Sequence, residues 1–150
     1  MLQNLDGQVA WITGAGTGIG ESAAIKLAEA GCKVVLSGRR RDVLENVAKA
    51  IGSGVSIKPL DVSNKDDVKG VTDMILEEHG RIDIGVFSAG INVRDRNWHN
   101  VAAEDWDRVI NIDLNGAFYC CQAVLPTMRN QGGGLTVSYT HLTLPTNREV

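Results

Sequence analysis

The sequence predicts an α/β fold: a three-layer, doubly wound parallel sheet with strand order 3-2-1-4-5. Three observations lead there. Short apolar runs alternate with segments of helical period, a glycine-rich turn joins the first run to the first helix, and the second run is continuously apolar. A strand covered by helices on both faces reads as an unbroken apolar run, not an alternating one.

The elements follow in order. Residues 8–13 are expected to form the first strand and residues 18–30 the first helix, with Ile19, Ala23, Leu27 and Ala30 on one stripe. Gly31 then stands where a left-handed cap belongs. Residues 33–37 give the second strand through Val34, Val35 and Leu36, and Val43, Leu44, Val47 and Ile51 mark the face of the second helix. Residues 55–60 read as the third strand. Ser63 and Asp66 resemble a capping box for a helix carrying Val68, Val71 and Ile75, which closes at His79 and Gly80. Residues 82–87 form the fourth strand. A long helical stretch over residues 104–129 is expected to be interrupted near Asn115 and Gly116, and Gly132, Gly133 and Gly134 lead to a fifth strand. Right-handed crossovers put strands two and three on one side of strand one and start strand four on the other. The crevice between strands one and four is then the switch point, where such sheets bind ligands.

Composition sets bounds on function. A chain of 150 residues with 43% apolar and 22% charged residues is ordinary for one globular domain. A net charge of -3 leaves no basic footprint, so nucleic acid is not expected as a partner. No apolar run approaches bilayer length and the N-terminus lacks a signal-peptide pattern, so no membrane partner is expected. The 3 cysteines, Cys32, Cys120 and Cys121, are odd in number and two are adjacent. They fit neither a disulfide framework nor a metal site, and read as small buried hydrophobes in a reducing, cytoplasmic compartment.

The run Thr13-Gly14-Ala15-Gly16-Thr17-Gly18-Ile19-Gly20 falls between the first strand and the first helix. Glycines at 14, 18 and 20 permit a tight turn, close backbone approach to a pyrophosphate and close packing of helix on strand. Free amides at the helix start and the positive end of its dipole favour the phosphate charge. Candidate cofactor-binding residues here are Gly14, Gly16, Thr17, Gly18, Ile19 and Gly20.

The spacing T-G-x-x-x-G-I-G resembles that of the short-chain dehydrogenases/reductases, and further motifs agree. Asp61-Val62 after strand three looks like the family's adenine-contacting pair, and Ser88-Ala89-Gly90 after strand four like a variant of its Asn-Asn-Ala-Gly motif. Glu104-Asp105-Trp106-Asp107, Leu114-Asn115-Gly116-Ala117-Phe118 and the triple glycine are similar to family sequences at the same places. The resemblance covers residues 5–135. It implies a Rossmann-type fold, a nicotinamide cofactor bound through the residues named, and hydride transfer with a small carbonyl or secondary-alcohol substrate. It also implies a full-length parent that forms homo-oligomers, commonly through the long helix.

Cofactor choice turns on the end of strand two. NAD enzymes usually place an acidic residue there to accept from the ribose hydroxyl. Here Gly38 stands in that place, followed by Arg39, Arg40 and Arg41, partly offset by Asp42. A guanidinium suits a 2′-phosphate, so NADP is favoured over NAD, with Arg39 as the contact.

The catalytic positions depart from the family. Its members use a Ser-Tyr-Lys set helped by an Asn, with the lysine four residues after the tyrosine. The 2 tyrosines, Tyr119 and Tyr139, are followed at that spacing by Ala123 and Thr143, and the last lysine is Lys69. Asp113 occupies the usual Asn position, and Ser138 falls near the serine by count alone. From Thr136 the resemblance stops. Residues 137–146, VSYTHLTLPT, look like translated sequencing-library adapter, reproduced by the codons GTC TCT TAT ACA CAT CTG ACG CTG CCG ACG. The expectation is an incomplete nucleotide-binding domain over residues 1–135 and a non-native tail over 136–150. Such a fragment would be catalytically inactive. The alternative reading is a non-catalytic dinucleotide-binding module or an oligomer subunit.

Overall fold

A computed structural model describes residues 4–95 and 97–139. Its elements are β1 (Val9–Thr13), α1 (Gly18–Glu29), β2 (Lys33–Ser37), α2 (Arg41–Ile51), β3 (Val55–Ile57), α3 (Lys65–His79) and β4 (Ile84–Phe87). There follow α4 (Ala103–Val109), a π-helical segment (Ile110–Asn115), α5 (Gly116–Asn130) and β5 (Leu135–Ser138). The sheet has five strands in the order β3-β2-β1-β4-β5, and every pairing is parallel. The predicted α/β fold and strand order are those observed.

Alternation along the strands builds the three layers. Val9 and Trp11 of β1, Val35 of β2 and Phe87 of β4 face α3 and α5, against Val68, Val71, Ile75, Cys120, Val124 and Met128. Ala10 and Ile12, Val34 and Leu36, and Ile84 and Val86 face α1 and α2, against Ala24, Leu44 and Val47. β1 is buried along its whole length, as its continuous apolar run requires. The indole N–H of Trp11 donates to Ser37 Oγ at 2.9 Å, and that hydroxyl donates to the Lys58 carbonyl at 2.7 Å. The largest core side chain thus carries its polar atom without an unmet bond.

Four local expectations need correction. α1 buries Gly20 and Ala24, with Ala23 and Leu27 of the expected stripe partly buried against the core, but its first member, Ile19, is 51% exposed. Only small residues fit where the helix start lies against the strand backbone. The cap of α3 is Asn64, one residue beyond the predicted Ser63: its Oδ1 accepts from the amides of Asp66 at 3.0 Å and Asp67 at 3.3 Å. Ser63 is drawn back instead, donating its hydroxyl to Asp61 Oδ1 at 2.7 Å. The third and fourth strands are shorter than predicted, although backbone bonds prolong them: Lys58 N–H donates to Leu36 O and Leu60 N–H to Gly38 O, and Asp83 N–H donates to Val9 O. The long helix is interrupted as expected, through the π-helical turn ending at Asn115.

The ends of α1 and α3 agree with the sequence. Gly31 has φ 97° and Gly80 φ 74°. At Gly31 the amides of Gly31 and Cys32 close back on Ala28 and Leu27, a Schellman arrangement.

At the opposite end of the sheet from the glycine turn, Asp83 ties three strands together. Its carboxylate accepts from Val9 N–H at 2.8 Å and from two nitrogens of Arg81 at 2.8 and 2.6 Å. Its carbonyl accepts from Leu135 N–H at 2.8 Å. Among the described residues, no helix is long and apolar enough to cross a membrane. Thr136, Val137 and Ser138, assigned from sequence to the tail, run in register beside Gly85, Val86 and Phe87; residues 140–150 lie outside the described residues.

Candidate functional site

A cleft of about 650 Å³ opens at the C-terminal ends of β1, β2 and β4, at the switch point. Its floor is the turn after β1. Gly14 has φ 67°, and a Cβ there would lie 2.7 Å from the Ala89 nitrogen. A Cβ on Gly20 would lie 2.3 Å from the Gly14 carbonyl oxygen. Turn, helix and the loop after β4 therefore meet backbone to backbone, which no side chain at either position would allow. Ser88 locks the junction by donating its hydroxyl to Thr13 O at 2.8 Å.

Of the helix starts, α3 is capped by a side chain, and α1, α2 and α4 are not; α1 is the one that opens on the glycine turn. Asn64 satisfies the first amides of α3 with its own side chain, whereas the cap residue of α1, Thr17, makes no side-chain cap hydrogen bond. The first-turn donors of α1 are thus left to face the cleft, where helix geometry favours an anion. A cradle that a Cβ would fill, with uncapped amides at its centre, fits a diphosphate.

Charge is divided between the two sides. Gly38, Arg39 and Arg40 line the cleft after β2, and Asp61 and Val62 after β3. The Ser63 hydroxyl, the Ser63 amide and the nearby Arg39 charge together hold the Asp61 carboxyl below the usual carboxylate range, outweighing its burial. On the β4 side stand Ser88, Ala89, Gly90 and Asp113. Asp113 Oδ1 accepts from Ile91 N–H at 2.8 Å, and burial pushes this carboxyl above its ordinary value.

Of the residues singled out from sequence, Gly14, Gly16, Thr17, Ile19, Gly20, Arg39, Asp61, Val62, Ser88, Ala89, Gly90 and Asp113 all line the cleft. Gly18 does not; at φ 60° it shapes the turn. Val43, Leu60, Ile91, Asn92 and Ile112 also line it and were not expected to. Most of them neighbour a named motif, whereas Val43, like Leu44 beside it in the lining, needed the packing of α2 against Gly16 to be found. In the loop after β4, Trp98 and His99 are exposed, Trp98 with its ring 5.9 Å from that of Trp106. The cysteines carry no activated thiol: burial pushes Cys120 up to about 12 and raises Cys32 and Cys121 as well.

A family model described as short chain dehydrogenase matches residues 8–140. The chain belongs to the short-chain dehydrogenase family. Among the relatives of this family member is an uncharacterized oxidoreductase of Staphylococcus aureus strain N315, 39% identical over 131 residues, covering 87% of this chain and 56% of the relative. A short-chain type dehydrogenase/reductase from Mycobacterium marinum superposes with a TM-score of 0.85 at 36% identity, over 90% of this chain and 56% of that one. The 3-ketoacyl-(acyl-carrier-protein) reductase from Brucella melitensis, solved with NADH, gives 0.82 at 34% identity, over 85% and 52%. This short-chain dehydrogenase chain therefore spans about half the length of the relatives it matches. No Tyr-x-x-x-Lys occurs in its 150 residues.

Proposed function

We propose that the chain is the nicotinamide-dinucleotide half of an oxidoreductase acting on a small carbonyl or secondary alcohol, with NADP favoured over NAD. The observation that carries this reading is the cradle: Gly14 and Gly20 in backbone contact with their neighbours at the switch point, beside helix amides that no side chain caps. The dinucleotide, when bound, supplies or accepts the hydride. The amides of residues 16–20 would hold its diphosphate. Asp61 and Val62 would border the adenine, and Arg39 would grip a 2′-phosphate. Ser88, Ala89 and Gly90 would line the path toward the nicotinamide side, where Asp113 fixes the loop through Ile91.

With no Tyr-x-x-x-Lys to hold and move a proton at the substrate oxygen, the 150 residues alone are expected to bind without turnover. We read residues 1–135 as an incomplete domain of a cytoplasmic parent and residues 136–150 as a non-native tail, on the strength of the adapter resemblance. Sequencing the genomic locus past the Leu135 codon tests this. A continuation into a Tyr-x-x-x-Lys helix is expected, and a stop after Val150 would overturn it. An oligomer subunit remains the second reading, favoured by the exposed Trp106, Leu114, Phe118 and Leu125 on or beside the long helix.

Calorimetric titration with NADP and NAD tests the binding reading. The intact chain should bind NADP more tightly, and Arg39→Ala should weaken NADP about tenfold while leaving NAD nearly unchanged, the worth of one charge-assisted phosphate contact. Gly20→Val, which places atoms against the Gly14 carbonyl, should abolish both. Absence of binding by the folded chain would sink the proposal.

A further inference from the structure

The cleft holds one carboxyl group whose charge nothing on its own side answers. Asp113 sits on the π-helical segment, and a Cβ on Gly90 would lie 3.4 Å from its Oδ1. That oxygen accepts the Ile91 amide, and among the described residues the carboxyl has no ion pair. The cleft's arginines, Arg39 and Arg40, follow β2, two positions across the sheet from β4. The loop after β4 brings Ser88 to Asn92 beside it, none of them ionisable. Asp61, already bound to Ser63, follows β3 at the arginine end, and Tyr139 is the ionisable group that another described segment contributes to the cleft nearer the β4 side.

We propose that Asp113 makes the cleft discriminate between redox forms, favouring the oxidised nicotinamide ring over the reduced one. The inference rests on the nicotinamide reading above. With the adenosine end at Arg39 and Asp61 and the diphosphate at the turn, the ring is left to the β4 side. The oxidised ring carries a positive charge and the reduced ring none. A partly buried carboxylate without a cation partner attracts the first and is indifferent to the second, and partial burial leaves the attraction less screened than in bulk water.

The test compares dissociation constants for the oxidised and reduced forms of one cofactor with the intact chain and with Asp113→Asn. The amide has the same shape and keeps an oxygen for Ile91 N–H, so it removes the charge and spares the tether. The variant should weaken the oxidised form by about fivefold and move the reduced form by less than about twofold, the scale of one charge at several ångströms in partly solvated protein. All phosphates are common to both forms and cancel in the ratio. Equal weakening of both forms would overturn the proposal, because a purely structural role cannot tell them apart.

Should the variant fail to fold, the unchanged chain supplies the second measurement. The ratio of oxidised to reduced dissociation constants should rise by the same factor as the pH falls and Asp113 takes up its proton. A ratio that stays constant while both forms still bind, as the pH is lowered through the range in which Asp113 takes up its proton, would overturn the proposal and leave the nicotinamide reading standing. Binding of neither form at neutral pH would overturn both.

Discussion

β1 and β5 lie in one parallel sheet, one strand apart, and have opposite surroundings. Every residue of β1 is buried, and its two faces carry the centres of both core layers. β5 pairs with β4 in good register, yet Leu135 is 58% exposed and Val137 44%. Backbone pairing alone therefore places a strand in this sheet, and side-chain cover is what makes a strand matter to stability. The cleft sits on the covered side. Its floor belongs to the turn after β1 and to α1, and the β5 end of the sheet reaches it only through Tyr139, the residue after the strand.

The largest effect expected on this contrast comes from Trp11→Ala. The side chain is fully buried, meets Phe87 edge to face with centroids 5.6 Å apart, and bonds to Ser37. Its removal should cost about 4 kcal/mol, as for other large aromatic deletions in packed cores. The counterpart Val137→Ala on β5 should cost less than about 0.5 kcal/mol, the usual range for exposed positions. Urea denaturation midpoints for the two variants and the parent chain measure both. Similar losses at both positions would mean that β5 is covered in solution, by a second copy or by chain beyond the described residues.

The same contrast governs how much could be read in advance. Strand order followed from the alternation of elements and the handedness of crossovers, because buried parallel strands write themselves as apolar runs such as Val34-Val35-Leu36. The glycine turn was legible for a related reason: backbone contact excludes side chains, so Gly14 and Gly20 must appear as glycine. Local capping was less legible. Ser63 and Asn64 are both competent caps, and the choice fell to Asn64 because Asp61 engages Ser63, a contact that no spacing rule contains. Ile19 misled the helix-stripe argument for the opposite reason. An apolar residue at the start of α1 faces the cleft, and periodicity cannot separate a core wall from a ligand wall. Val43 was invisible until α2 was docked, since only tertiary packing brings it to Gly16.

Asp83 sharpens the comparison because it is the point at which the two strands are joined. It receives the Val9 amide on its carboxylate and the Leu135 amide on its carbonyl, while Gln131 from the α5–β5 turn donates to the neighbouring Ile82 carbonyl at 2.7 Å. Burial acts to raise its pKa, but the Arg81 hydrogen bonds, the Val9 amide and the Arg81 charge outweigh that and hold it below the usual carboxylate range. A carboxyl with a depressed folded-state pKa stabilises fully above its unfolded value near 3.9, and loses that contribution as the pH falls through the folded value. Asp83→Asn should therefore cost about 1 kcal/mol at pH 7: the amide oxygen still accepts from Val9 N–H, so the loss is the charge that strengthens that bond, with little from Arg81, which is half exposed and screened. Unfolding free energies of the parent chain and the variant should differ by a constant amount from pH 7 to about pH 5 and converge only below about pH 4. Convergence already between pH 7 and pH 5 would mean that burial wins and the carboxyl is raised, so that the Val9 and Arg81 contacts do not hold its charge at the junction of β1 and β5.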